Sequence, residues 1–230
     1  AWETVAGGLT GKVEGTNFVG SLLVGHSTTG TLNNALNNTG VGIDAMEAIS
    51  SGDLNVCVGF EAGKRITSAD FSTLIGAYAG NDIETAHGNT AVGRTSLTNA
   101  TGGYNTAIGH ATGNLVVAGE YNILFGQGAG NNITSGSGNV VIGNADVSSA
   151  TGDDQLSISD GEDGSVVWMT GDSSGNLTFP ADVTLGDDLL LDSDSCVLKF
   201  GDDQDVTLTH TDGTGLTLNS TSKLCFQDTG

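Results

Sequence analysis

Three kinds of residue in this 230-residue chain could do chemistry: one serine in a nucleophile-like pentapeptide, four histidines and many carboxylates. GDSSG at 171–175 matches Gly-x-Ser-x-Gly, with Ser173 in the nucleophile position. Such a serine works on a sharp turn between a strand and a helix. Here Asn-Leu-Thr-Phe-Pro follows, which opens no helix, so the pentapeptide reads as a polar turn. Histidines stand at His26, His87, His110 and His210, and no cluster of His and Cys has zinc spacing. The acidic groups Asp153-Asp154, Asp160/Glu162/Asp163, Asp187-Asp188, Asp192/Asp194 and Asp202-Asp203/Asp205 could give oxygen ligands to a structural calcium ion. None has the EF-hand loop or the nine-residue calcium repeat, and solvated turns are the simpler reading. GQGAG at 126–130 is glycine-rich but opens no helix, so no phosphate loop is expected. The three cysteines, Cys57, Cys196 and Cys225, have apolar neighbours and no pair spacing. They read as small buried hydrophobes, not as a disulfide framework. The sequence therefore assigns no catalytic, cofactor-binding or metal-binding residue.

The charge balance narrows the partners. Six basic residues stand against 27 acidic ones, a net charge of −21. Such a surface repels phosphate backbones and anionic membranes, so neither nucleic-acid binding nor membrane insertion is expected. No apolar run reaches the roughly 18 residues of a spanning helix. No signal peptide is visible at the first residues, Ala-Trp-Glu.

The elements that would position these side chains are set by glycine. There are 37 glycines and one proline, Pro180. Gly, Asn, Thr and Ser without Pro imply many turns between ordered segments. Scarce Lys, Glu and Arg argue against long helices. The segments NVCVG (55–59), STLIG (72–76), NTAVG (89–93), NTAIG (105–109), NILFG (122–126) and NVVIG (139–143) align on one glycine. The anchor glycines are Gly25, Gly42, Gly59, Gly76, Gly93, Gly109, Gly126 and Gly143, spaced by 17 residues with one step of 16. The residue before each anchor is Val24, Val41, Val58, Ile75, Val92, Ile108, Phe125 or Ile142. Seven after it come Leu32, Ile49, Ile66, Ile83, Ala100, Val116 and Ile133. Four before it stands Asn38, Asn55, Asn89, Asn105, Asn122 or Asn139, with Ser21 and Ser72 in the other copies.

The two apolar columns divide each coil into halves. The expected fold is all-β: a two-sheet parallel β-roll of about eight turns over residues 21–146, with both columns inside and the Asn side chains laddered along the axis. Residues 1–20 read as a lead-in and 147–180 as a Ser/Gly/Asp-rich connector with short strands. Residues 181–230 read as a β-rich region of short alternating strands such as DVTLTH (205–210), too poor in large side chains to bury a core alone.

The NTAIG and NTAVG turns, with Gly103-Tyr104-Asn105, resemble the head repeats of YadA-like trimeric adhesins and the repeats of bacteriophage tail-fibre proteins. The segment 201–228 is similar to modules of marine-phage fibre proteins, and 174–189 to their repeated linkers. The resemblance covers about 25–230 and implies a parallel homotrimer, intertwined in its C-terminal part. It further implies a non-enzymatic structural or adhesive fibre of a virion or other extracellular appendage. Its partners would be other virion or appendage proteins and a host surface receptor or glycan. A self-cleaving chaperone often ends such fibres, and nothing like it is present here.

Three alternatives stay open. One is a bacterial surface adhesin, which shares the repeat. Another is a solenoid glycan-active enzyme, which needs a carboxylate pair on one face. Asp44 and Glu61 share a column, but Tyr78 and Thr95 follow there. The third is an ice-binding roll, which needs a regular threonine array. The column three before the anchor holds Thr39, Thr73, Thr90 and Thr106, but also Leu22, Val56, Ile123 and Val140.

Overall fold

The computed structural model describes residues 2–5, 9–13, 15–25 and 29–186. His26, His210, Cys196, Cys225, the carboxylates from Asp187 onward and nearly all of the 181–230 region lie outside the described residues. Residues 1–183 make one unit, and 184 onward a second, of which only 184–186 are described.

Among the described residues there is no helix, and the strands form one 13-stranded sheet. Strands β1 (Trp2–Val5) and β2 (Leu9–Val13) pair antiparallel. Then β3 (Leu22–Val24), β4 (Thr39–Val41), β5 (Val56–Val58), β6 (Thr73–Ile75), β7 (Thr90–Val92), β8 (Thr106–Ile108), β9 (Ile123–Phe125), β10 (Val140–Ile142) and β11 (Leu156–Ser159) stack in chain order. Each neighbouring pair from β3 to β11 is parallel, one strand per coil. Strands β12 (Val167–Gly171) and β13 (Leu177–Thr178) follow antiparallel. The chain is thus an all-β solenoid of about eight stacked 17-residue coils. The parallel ladder runs on to Ile158, beyond the expected limit at 146, because Gln155 takes the place of the repeated asparagine.

The second wall of the roll, expected as a second sheet, is a stack of turns, so among the described residues the solenoid has one sheet. Its backbone still bonds from coil to coil: Met46 N–H donates to Ala62 O (3.1 Å), Gly63 N–H to Ala79 O (2.9 Å) and Gly80 N–H to Ser96 O (2.9 Å). Strand conformation is broken there because Asp44, Glu61, Tyr78, Thr95 and Ala111, two after each anchor, have φ between +55° and +62°. Left-handed residues curl the chain instead of extending it.

The apolar column before the anchors is corrected as well. The residues before the anchors do stack, Val58 beside Ile75 and Ile75 beside Val92, but they point outward. The strands bury their middle residue: Leu23, Gly40, Cys57, Leu74, Ala91, Ala107, Leu124 and Val141. Side chains alternate along a strand, so the buried asparagine four before the anchor fixes that middle residue inward and its two neighbours outward. The column seven after the anchor is inside as expected, with Ile49, Ile66, Ile83, Ala100, Val116 and Ile133 fully buried. Alanines such as Ala45, Ala62 and Ala79 fill the narrow space between the walls. Phe18 stands in the first coil where later coils have Ala35, Gly52 and Ala69, and it adds bulk where the core begins.

Candidate functional site

The anchor glycines are the closest contacts between coils. A Cβ on Gly76 would stand 2.5 Å from Gly93 O, and the backbone has φ +133°. The other anchors have the same conformation, from +104° at Gly143 to +143° at Gly109. They are structural positions, packed carbonyl to backbone, with no room for a ligand.

Inside the first wall runs the asparagine ladder. Asn105 Oδ1 accepts from Asn122 N (3.0 Å) and Asn122 Nδ2 (2.9 Å). Asn122 Oδ1 serves Asn139 in the same way, and Asn139 Oδ1 serves Gln155. Each side-chain amide also donates across the coil, as Asn105 Nδ2 does to Gly119 O (2.9 Å). The ladder is broken at Ser72, whose hydroxyl bonds within its own coil to Asp70 O at 3.5 Å. Cys57 is buried in the core, where desolvation pushes its thiol far above the ordinary range.

The candidate chemistry is dispersed. Ser173 is exposed on the β12–β13 turn, where Asp172 Oδ1 accepts from Ser174 N (2.9 Å) and Asn176 N (3.0 Å). That turn joins two strands, so the nucleophile geometry does not arise. His110 Nε2 lies 3.1 Å from Arg94 Nη1, and His87 Nδ1 accepts from Asp70 N at 3.1 Å. Asp44 and Glu61 meet at Lys64 with Glu47, at 3.4, 3.5 and 3.5 Å. Desolvation alone would lower that ammonium's pKa, but the three carboxylates outweigh it and hold it raised. Asp53, Asp70, Asp153 and Asp160 accept backbone N–H groups instead of gathering around a cation. Among the described residues no group of three His, Cys, Asp or Glu is placed to hold a metal ion. No helix there is long and apolar enough to cross a membrane.

What the elements do bring together is two contrasting walls. The outer face of the strand wall is largely apolar, with Thr39, Thr73, Thr90 and Thr106 set among its Val, Ile and Phe. Val41, Val58, Ile75, Phe125 and Ile142 are exposed on it, with Leu22, Val56 and Ile123 two residues before the first-named column's equivalents. Phe125 is 55% exposed. Leu54, Phe71, Tyr104 and Tyr121 extend this surface along one edge, and the last two rings stack 5.2 Å apart. The turn wall is more polar, with Lys64, Arg65, Asp82, Thr98, Asn99 and Asn114 outward beside exposed Leu115 and Val117. It carries a shallow groove of about 440 Å³ lined by Arg65, Asp82, Glu84, Thr85, Asn99, Thr101 and Val117. The sequence signal for the two walls was the strand alternation, which the constant Val/Ile column obscured.

No family model matches this chain, and no curated protein or solved structure matches it.

Proposed function

We propose that this protein is a non-enzymatic building block of a fibre, a structural or adhesive module of a phage virion. Its rolls assemble in parallel, three around one axis, with their strand walls facing inward. The observation that supports this reading is the apolar outer face of the strand wall. Exposed Val, Ile and Phe recur in register on coil after coil of this face, and such contiguous apolar surface marks an interaction site. Identical copies around a common axis would bury it and leave the more polar turn wall outward. That outward wall, with its Arg65–Asp82–Glu84 groove, is where a host receptor or glycan would meet the fibre. Light scattering on the purified chain tests the assembly. A trimer is expected, and a Phe125→Asp, Ile75→Asp variant should be a folded monomer. A well-folded wild-type monomer at micromolar concentration overturns the reading. Immunogold labelling of virions against bacterial surfaces separates the phage from the adhesin.

A second reading has one observation in its favour. Thr73, Thr90 and Thr106 are in register on the outer face, beside Ile75, Val92 and Ile108. An ice-binding protein would present such a face bare, as a monomer showing thermal hysteresis. An oligomer without hysteresis removes this alternative.

A further inference from the structure

The two edges of the strand wall differ in shape and in charge. Along one edge run the residues just after the anchors, and along the other those five and six before them. On the first edge Ala77 is the small residue between exposed Phe60 and exposed Arg94. The Tyr78 ring meets Phe60 edge-on at 5.3 Å. On the second edge the order is reversed. Phe71, 60% exposed, projects on this edge, and in the next coil the Tyr104 ring covers Gly88, 2.7 Å from where a Gly88 Cβ would stand. Phe71 and Ala77 belong to one coil, as do Gly88 and Arg94. Large Phe71 therefore faces small Ala77, and Arg94 faces the Tyr104 ring, when one edge is laid against the other.

Charge points the same way. Lys64 and Arg65 are each held by carboxylates of this chain. Among the described residues no carboxylate pairs with Arg94, whose side-chain contact is the His110 ring. In a chain of net charge −21 such a cation is unusual. The opposite edge carries Asp53, Asp70 and Glu120, with His87 beside Asp70 at 3.3 Å. Antiparallel copies would set each edge against itself, acid on acid. Parallel copies set unlike edges together at equal height.

We propose that neighbouring parallel copies join coil for coil, Phe71 of one packing over the small Ala77 of the next, and Arg94 meeting the Tyr104 ring that covers Gly88, near Asp70. A guanidinium on an aromatic face beside a carboxylate is a favourable, register-setting contact. The inference rests on the parallel assembly proposed above and specifies its contact and its register.

Cysteine pairing tests it. Phe71 and Ala77 lie on opposite sides of β6 (Thr73–Ile75), whose extended residues at ~3.3 Å each hold them too far apart for a disulfide within one chain. The Phe71→Cys, Ala77→Cys variant, mildly oxidised, should run on a non-reducing gel as covalently linked chains up to the full assembly. Each single variant and the wild type should not. Arg94→Glu should raise the dissociation constant at least about tenfold, whereas Arg94→Lys should change it little. If the wild type is a monomer, the parent reading fails and this inference with it. If the wild type assembles but the double variant links no more than the singles, or a single variant links to itself, the register is wrong while the assembly stands.

Discussion

Gly76 shows how little freedom one residue of this chain has. Its φ of +133° excludes an L side chain, and any Cβ would press on the Gly93 carbonyl. Gly76→Val should destabilise the roll by about 3 kcal/mol, and an unchanged melting temperature would refute that account. Asp160 is constrained by bonds of another kind. Its Oδ2 accepts from Val166 N (2.7 Å), and its Oδ1 from Glu162 (2.9 Å), Asp163 (3.1 Å) and Gly164 (3.2 Å). The Val166 N–H, with those of Asp163, Glu162 and Gly164, draws the carboxyl down from 3.8 to about 2. A depressed value means that the carboxylate's support of the β11–β12 connection is complete above pH ~4 and is lost as pH falls through about 2. The Val166 amide resonance should titrate with that low midpoint; a midpoint near 4 would show that the carboxylate does not hold the loop.

At the scale of the element, the period and the anchors were readable because each coil must stack on its neighbour, which repeats the steric demand every 17 residues. Which face of the strand points inward was not read correctly. The regular Val/Ile column looked like a core, while the true core column mixes Leu, Cys, Ala, Gly and Val. A solenoid interior tolerates that mixture because large and small residues on its two walls compensate each other. The asparagine at the even position was the better guide, since a constant polar residue inside must be bonded along the axis. The dispersal of the candidate chemistry was legible, because no motif stood in its required strand–helix context. The contrast between the walls was not, since it depends on orientation. Asn105→Ala tests the ladder. It would leave Asn122 N and Nδ2 without their acceptor in a buried site, costing about 2–4 kcal/mol by chemical denaturation. A loss below about 0.5 kcal/mol would mean that water or a shifted neighbour replaces the bonds.

For the whole molecule, the excess of acid would set the conditions of the proposed assembly. Each chain would bring a net charge of −21 to it. At low ionic strength those charges repel over tens of ångströms, while at 0.1 M salt the screening length is about 10 Å. The assembly should melt at a lower temperature in low salt and recover on addition of salt or divalent cations. A salt-independent melting temperature would remove this electrostatic cost without touching the apolar interface.

The reversed strands at the two ends of the stack, β2 on β3 and β12 on β11, leave the coils between them interchangeable. Nothing in the end strands depends on how many coils separate them, so length is a free variable of this architecture, adjustable in steps of ~4.8 Å. Excising residues 72–88 removes one period and brings Asn55 directly beneath Asn89. The shortened protein would lose one coil's packing and, with Ser72 gone, gain an unbroken asparagine ladder. It should therefore melt close to its parent. A genome could lengthen or trim such a spacer by recombination between repeats, without redesigning either end.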